Sequence, residues 1–365
     1  YTINIIANIM VINPIALNQE LTMLHDAGVT KYNLKISNRA HIVLPYHIEM
    51  DQLMEDIKPE DKKVGTTKKG IGPAYTDKYA RNGIRVCDFI DEEIFYDKLT
   101  DNVTYYNKVF TTFGYPIMSI DELFEEYKLY IDLIKPFVTD TSVLVNKLID
   151  DGKKIVYEGA QGNLLCIDHG TYPYVTSSSP TAASVPLNVG ISPNYITDVV
   201  GITKAYSTRV GSGYFATEFE NEIAKTIRQV GNEFGTTTGR PRRIGWIDTV
   251  VLRHSKRVSG INHLSVMLLD VLSGLKELKI CVKYKLNGKE IDYIPASIKE
   301  YRKCEPVYIT LKGWNDDITN VTKFSDLPLN AQKYLETISE LTNIPISIFS
   351  VGPDRSQTIV LNEII

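Results

Sequence analysis

Apolar and polar positions change rhythm several times along the chain, and each rhythm names an element. After an apolar opening, YTINIIANIM, Asn13 and Pro14 supply a helix cap and a first-turn proline. Leu17, Leu21 and Leu24 then recur at helical spacing until Gly28 supplies a stop. Residues 33–44 read as strand segments around a polar turn (KISNRAHIVL). Ser119 and Glu122 form a capping box ahead of an apolar periodic run to Asp150, which Pro136 divides into two helices. The run KIVYEG, residues 154–159, reads as a buried strand ending in glycine. Further strands are expected near 199–205, 265–269, 279–282 and 347–351, with helices between several of them, 329–341 included. Strands alternating with helices predict an α/β protein: one large domain over 1–365, with a mostly parallel central sheet flanked by helices.

Composition narrows the function. Apolar content of 43% and charged content of 23% are ordinary for a soluble chain of 365 residues, and a formal net charge of −4 argues against generic nucleic-acid binding. Cys87, Cys166, Cys281 and Cys304 make no C-x-x-C pair and read as reduced thiols of a cytoplasmic protein, not a zinc site or a disulfide framework. No apolar run has the length of a membrane span, and no signal peptide is visible. The chain opens at Tyr1, without methionine and inside an apparent core strand, which leads us to expect that the sequence starts within a longer protein.

Four motifs carry candidate chemistry, each at an expected strand end, where α/β sheets gather their ligands. In GTTKKGIGPAYTDKYARNGIR, residues 65–85, Thr66, Thr67 and the glycines can wrap a phosphate while Lys68, Lys69 and Arg81 add charge; an exposed basic loop before a helix is the plainer alternative. In YEGAQGNLLCIDHGTYPYVTSS, residues 157–178, the amide of Gln161 suits a purine edge. Asp168 and His169 admit an acid–base or metal reading, with a hydrogen-bonded structural histidine equally open. Thr176, Ser177 and Ser178 can hold phosphate or cap a helix. GTTTGRPRR, residues 235–243, combines hydroxyls with arginine forks that match carboxylate and phosphate oxygens, against the alternative of a solvated basic turn. In SVGPDR, residues 350–355, Gly352 allows the backbone close to a flat ring, or marks an ordinary turn. None matches a Walker A loop, a dinucleotide fingerprint or a catalytic triad.

Taken in order, GTTKKGIGPAY, EGAQG, IDHGTYPYVTSS, TKAYSTRVG, TTTGRPRR, KCEPVY and SVGPDR resemble the adenylosuccinate synthetase family from about Asn13 to the C-terminus. The resemblance implies that family's P-loop-NTPase-like fold and a homodimer. It also implies a GTP-driven ligation of IMP with L-aspartate through 6-phosphoryl-IMP, with Mg2+ as cofactor, and no nucleic-acid or membrane partner. Carried over residue by residue, Thr67 and Thr176 hold the IMP phosphate, and Arg81 reaches the neighbouring subunit's IMP site. Gln161 contacts the purine near the reacting oxygen. Thr237, Thr238, Arg240 and Arg242 grip aspartate, with Arg240 also near IMP. Arg242, Asp270, Ser350 and Gly352 fall on GTP-binding positions.

Departures from the family pattern set further expectations. Ile6-Ala7-Asn8-Ile9 stands where I-G-N-G is usual, and Ala183 and Ser184 replace paired glycines. Tyr214 and Ala216 replace prolines, Cys166 an acidic residue, and Leu268 a lysine. A side chain in place of glycine can block approach to a ligand or demand a forbidden φ. The family's phosphate loop, catalytic base, acid histidine and magnesium contact would all precede Tyr1. On that expectation the 365 residues as written hold no metal ligands and do not turn over. The alternative is a diverged, non-catalytic homologue acting as a nucleotide-binding or regulatory dimerisation partner.

Overall fold

Polar side chains that accept from the first turn set the start of most of the longer helices. In the computed structural model Asn13, Asp91, Ser119, Asp140, Asn221 and Asp248 all cap in this way. The structure describes residues 2–59, 63, 65–235 and 239–364. Their contacts divide the chain into two units. The first comprises Tyr1–Glu158, Thr176–Ser178 and Ser184–Tyr195; the second comprises Gly159–Val175, Ser179–Ala183 and Ile196–Ile365.

In the first unit, β1 (Ile3–Ile6), β3 (Asn33–Ser37) and β5 (Val138–Thr139) form a parallel sheet in the order β1-β3-β5. β2 (Val11–Ile12) pairs in parallel with β4 (His41–Ile42). Around them lie α1 (Pro14–Asp26), α2 (Pro45–Asp56), α3 (Ile71–Ala80), α4 (Val86–Phe89), α5 (Glu92–Thr112), α6 (Ile120–Lys128), α7 (Ile131–Ile134), α8 (Thr141–Asp150) and α9 (Val185–Val189). The longest, α5, buries Phe95, Leu99, Val103, Tyr106 and Phe110, a stripe at helical period that anchors this unit's core. Helix α1 forms as its cap and glycine stop foretell, with Gly28 at φ +83°, but Leu24 turns out 42% exposed and only Leu17 and Leu21 bury.

Two sequence expectations need correction here. Pro136 sits in a short 3-10 turn, Lys135–Phe137, so the run from Ser119 gives α6, α7, β5 and α8 where two helices were expected. Residues 154–159 form no strand: Val156 is 74% exposed, and among the described residues no ladder partner lies beside the segment. An apolar run becomes a strand only when a neighbour takes its backbone hydrogen bonds.

The second unit carries the four-stranded sheet β15-β14-β10-β6, built from β6 (Val200–Lys204), β10 (His263–Met267), β14 (Ile346–Ser350) and β15 (Thr358–Val360). The first three run parallel and β15 runs antiparallel, so the expected parallel strands form here. β7 (Ser207–Arg209) pairs with β8 (Arg243–Gly245), and β9 (Ile247–Asp248) runs beside β11 (Glu277–Leu286). β11 also joins β12 (Lys289–Ile291) and β13 (Glu305–Lys312) in an antiparallel sheet of order β12-β11-β13 that the α/β pattern did not announce. Leu278 and Ile280 bury on alternate positions of β11 in one cluster; across a register shift between Cys281 and Lys283, Cys281 and Tyr284 bury together in another. Helices α10 (Glu222–Val230), α11 (Thr249–Ser259), α12 (Ile298–Tyr301) and α13 (Leu329–Thr342) complete the unit. All four cysteines are free thiols.

Because Leu278 is fully buried, Leu278→Ala should cost about 2–5 kcal/mol of unfolding free energy. Its exposed neighbour variant Lys279→Ala should cost under about 0.5 kcal/mol. Chemical denaturation of both checks the inward phase of β11; equal losses would contradict it.

Candidate functional site

In the first unit the loop 65–70 is tied to α2 by carboxylates. Thr66 donates its hydroxyl to both Asp51 oxygens at 3.0 Å, and the Gly70 amide donates to Asp51 Oδ2 at 3.1 Å. The Gly65 amide donates to Glu55 Oε1 at 2.6 Å. Asp51 and Glu55 are one helical turn apart, so a single face of α2 holds both ends of the loop. Gly70 has φ +74°, and a Cβ there would stand 2.9 Å from the His47 carbonyl carbon, so only glycine fits. Beneath it, His47 is locked: its Nδ1 accepts from the Leu44 amide at 3.0 Å and its Nε2 donates to Asp77 at 3.0 Å. Tyr106 donates to the other Asp77 oxygen at 3.0 Å. Burial holds His47 below the usual histidine range although Asp77 pulls the other way.

Thr67 is exposed at the outer part of this loop. Thr176 belongs to the segment Thr176–Ser178, which lies against the start of α3. Tyr75 hydrogen-bonds Ser178, and a Cβ on Gly72 would meet Ser177 Oγ at 3.5 Å. The amino end of α3 therefore has hydroxyls beside it, an arrangement that suits an anion.

Arg81 caps the other end of α3 in the left-handed region, φ +68°. It lines a cavity of about 280 Å³ with His41, Lys78, Arg85, Cys87, Asp88 and Lys98. Lys98 is paired with Asp88 at 2.6 Å, and the remaining charge is positive. His41 Nδ1 is buried with no partner among the described residues. Burial, then Lys78 and Arg85, push its pKa down to about 4.

The second unit holds the remaining candidates. Gln161 adopts φ +55°, uncommon for a residue with a side chain. Asp168 and His169 do not form a dyad: Asp168 accepts from Ser179 at 2.6 Å, and the His169 backbone carbonyl accepts from His254 Nε2 at 2.9 Å. Buried Arg209 reaches Thr171 Oγ1 at 3.0 Å and the Tyr174 carbonyl at 3.2 Å, holding the loop that leads into the T-S-S segment.

Of the arginine loop, Thr237 and Thr238 lie outside the described residues. Its stems close through Gly235 N to Arg240 O at 2.8 Å and Gly239 N to Gly235 O at 2.7 Å. Arg240 is exposed. Arg242 gives Nη1 to buried Glu233 at 2.7 Å, whereas Arg243 is taken up structurally by Glu218 and the carbonyls of Gly211 and Gly213. The basic run thus separates into one structural arginine and two at the loop.

At the carboxyl ends of β10 and β14, Leu268 takes φ +60° and its amide donates to Ser350 Oγ at 2.9 Å. Ser350 is fully buried, so its hydroxyl serves this turn. Asp270 follows in the 3-10 turn Leu269–Leu272; burial raises its pKa, and Oδ1 is buried without a partner among the described residues. Gly352 packs so tightly that a Cβ would come within 2.1 Å of Gln357 Oε1. Of the departures, Ala7, Ile9, Ala183 and Ser184 all keep ordinary negative φ, so replacing glycine imposes no left-handed strain there.

Parallel strands ending in loops of hydroxyls, glycines and cations define an α/β enzyme scaffold for anionic substrates. The model of the adenylosuccinate synthetase family matches residues 1–359. The adenylosuccinate synthetases of Streptococcus gordonii (strain Challis) and Listeria monocytogenes serotype 4a are 53% and 54% identical over 363 and 364 residues, covering 99% of this chain and 84% of each relative. The structure of fully ligated adenylosuccinate synthetase from Plasmodium falciparum matches with a TM-score of 0.92 at 35% identity, over 99% of this chain and 85% of that one. Cyanophage S-2L succinoaminodeoxyadenylate synthetase, at 16% identity and a TM-score of 0.56 over 98% and 75% of the two chains, shares the fold. The chain belongs to the adenylosuccinate synthetase family of GTP-dependent ligases. These matches lend no support to the expectations of inactivity through a missing segment or of metal ligands confined to one, and they do not favour a non-catalytic partner.

His41 should titrate near pH 4 in the folded protein, followed by its ring-proton NMR shifts; a midpoint at the ordinary 6.5 would contradict the buried, cation-flanked site. Since the unfolded ring binds its proton at higher pH than the folded one, the stability tied to this neutral ring is lost as pH falls from 6.5 toward about 4.

Proposed function

We propose that the chain joins IMP to L-aspartate in two steps. The γ-phosphoryl group of GTP passes to the 6-oxygen of IMP, leaving GDP. The aspartate amine then forms a bond to carbon 6, phosphate leaves with that oxygen, and the amine gives up a proton. Phosphoryl transfer of this kind asks the protein for positioning and charge neutralisation more than for covalent chemistry.

One observation carries the reading: the buried, unpartnered Asp270 oxygen at the end of β10. A carboxylate there accepts from the N1 and 2-amino groups of guanine, with the backbone at Ser350 and Gly352 beside a strand end. The Ser350 hydroxyl accepts from the Leu268 amide and keeps its own proton to donate. Thr67 and Thr176 take the IMP phosphate, and Arg81 that of a neighbouring subunit in a homodimer. Gln161 orients the purine at its reacting oxygen. Thr237, Thr238, Arg240 and Arg242 grip the aspartate carboxylates, Arg240 also serving IMP and Arg242 also serving GTP. The free thiols suit a cytoplasmic setting. Magnesium would neutralise the transferring phosphates. Among the described residues no group of three His, Cys, Asp or Glu side chains converges to hold an ion.

Asp270→Asn in the full-length protein exchanges an acceptor for a donor against the guanine edge. It should lower kcat/KM for GTP by roughly hundredfold and favour xanthosine triphosphate, whose 2-position is a carbonyl. Unchanged GTP kinetics would sink the guanine assignment. Arg240→Ala should raise KM for aspartate and for IMP by about tenfold or more each, as loss of a charge-assisted contact does. An unchanged KM for both substrates would remove Arg240 from the site.

A further inference from the structure

We infer that Glu233 is a positioning residue for the substrate-gripping arginine Arg242, resting on the reading that Arg242 holds aspartate. Glu233 follows α10 and is fully buried. Its Oε1 accepts from Lys204 Nζ at 2.6 Å and from the Tyr206 hydroxyl at 2.6 Å. Its Oε2 accepts from Arg242 Nη1 at 2.7 Å and from Lys204 Nζ at 2.7 Å. The main chain repeats the tie, Arg242 N donating to Glu233 O at 2.9 Å. Phe234 bridges Pro241 in the next rung of the same stem. Gly231 makes the arrangement possible, since a Cβ there would stand 2.3 Å from the Tyr206 hydroxyl.

Charge gives the cluster its chemistry. One buried carboxylate meets two cations, Lys204 and Arg242, which leaves a positive charge in excess at the foot of the loop. Among the described residues Arg242 commits a single nitrogen to protein, and the rest of its fork remains for an incoming carboxylate. Burial opposes ionisation of Glu233, yet the bonds from Lys204, Tyr206 and Arg242 outweigh it and hold its carboxyl below the usual range. Burial likewise lowers Lys204 against the pull of Glu233. Glu233 therefore aims Arg242 without touching substrate, and a substrate carboxylate supplies the anion the cluster lacks.

The test is steady-state kinetics of the full-length enzyme with Glu233→Gln, Arg242→Gln and the double variant. Glu233→Gln keeps shape but removes charge, and should raise KM for aspartate about tenfold while KM for IMP moves by less than about twofold. The double variant should be no worse for aspartate than Arg242→Gln alone, because Glu233 acts through that arginine. Should Glu233→Gln fail to fold, Tyr206→Phe, which removes one donor and no charge, should raise KM for aspartate by roughly twofold to fivefold with KM for IMP unchanged. If Arg242→Gln raises the aspartate KM and neither Glu233→Gln nor Tyr206→Phe does, the positioning role is wrong and the aspartate reading stands. An unchanged aspartate KM in Arg242→Gln overturns that reading and this inference together. Equal shifts for IMP and aspartate, or additive effects in the double variant, would reduce Glu233 to support of the fold.

Discussion

A carboxylate with no exposed surface stays ionised only inside a shell of donors, and Glu233 has Lys204, Tyr206 and Arg242 around it. Within that shell Lys204 ends β6, Tyr206 follows it, and Arg242 immediately precedes β8. Taking both cations away would leave the Glu233 charge buried without compensation, which costs far more than either pair contributes. The unit therefore tolerates only one geometry at the foot of the arginine loop. On the proposed reading, a loop exposed to receive substrate gains its definition from a buried group that acts from behind it.

The same division of labour recurs at the other candidate places. Asp51 and Glu55 pin the 65–70 loop from beneath and leave Thr67 exposed. Arg209, itself buried, holds the 171–174 stretch. Leu268 is held in a left-handed turn with its amide on Ser350, and Asp270 beyond it keeps an unsatisfied oxygen. Strained backbone and an open hydrogen-bond valence persist where surrounding structure over-determines them, and here both sit at the ends of strands.

Sequence patterns made the local elements legible and the long-range partners illegible. The Asn13 cap, the Gly28 stop and the helix from Leu329 stand as read, because caps and periodicity are properties of neighbouring residues. KIVYEG misled because strand propensity does not say whether a ladder partner is beside it. The antiparallel partners of β11 were hidden for the same reason. Motif order pointed to the family, and Gln161, Arg81 and Asp270 all take unusual backbone or side-chain states. What sequence missed were the supporting carboxylates. Asp51 and Glu55 carried a faint signal in their one-turn spacing, whereas Glu233 meets Lys204 across 29 residues and no local pattern announces it. Glycine replacements that looked hazardous at Ala7, Ile9, Ala183 and Ser184 proved conformationally ordinary, a question only φ could settle.

In the proposed reaction a phosphoryl group reaches the 6-oxygen of IMP before the aspartate nitrogen arrives, so that oxygen must leave with phosphate. IMP carrying heavy oxygen at that position, incubated with the full-length protein, GTP, magnesium and aspartate, tests it directly by mass spectrometry of the products. Transfer in this order gives adenylosuccinate without the label, and inorganic phosphate containing it, in equal amounts. Label released into water, or phosphate formed without label, would contradict it.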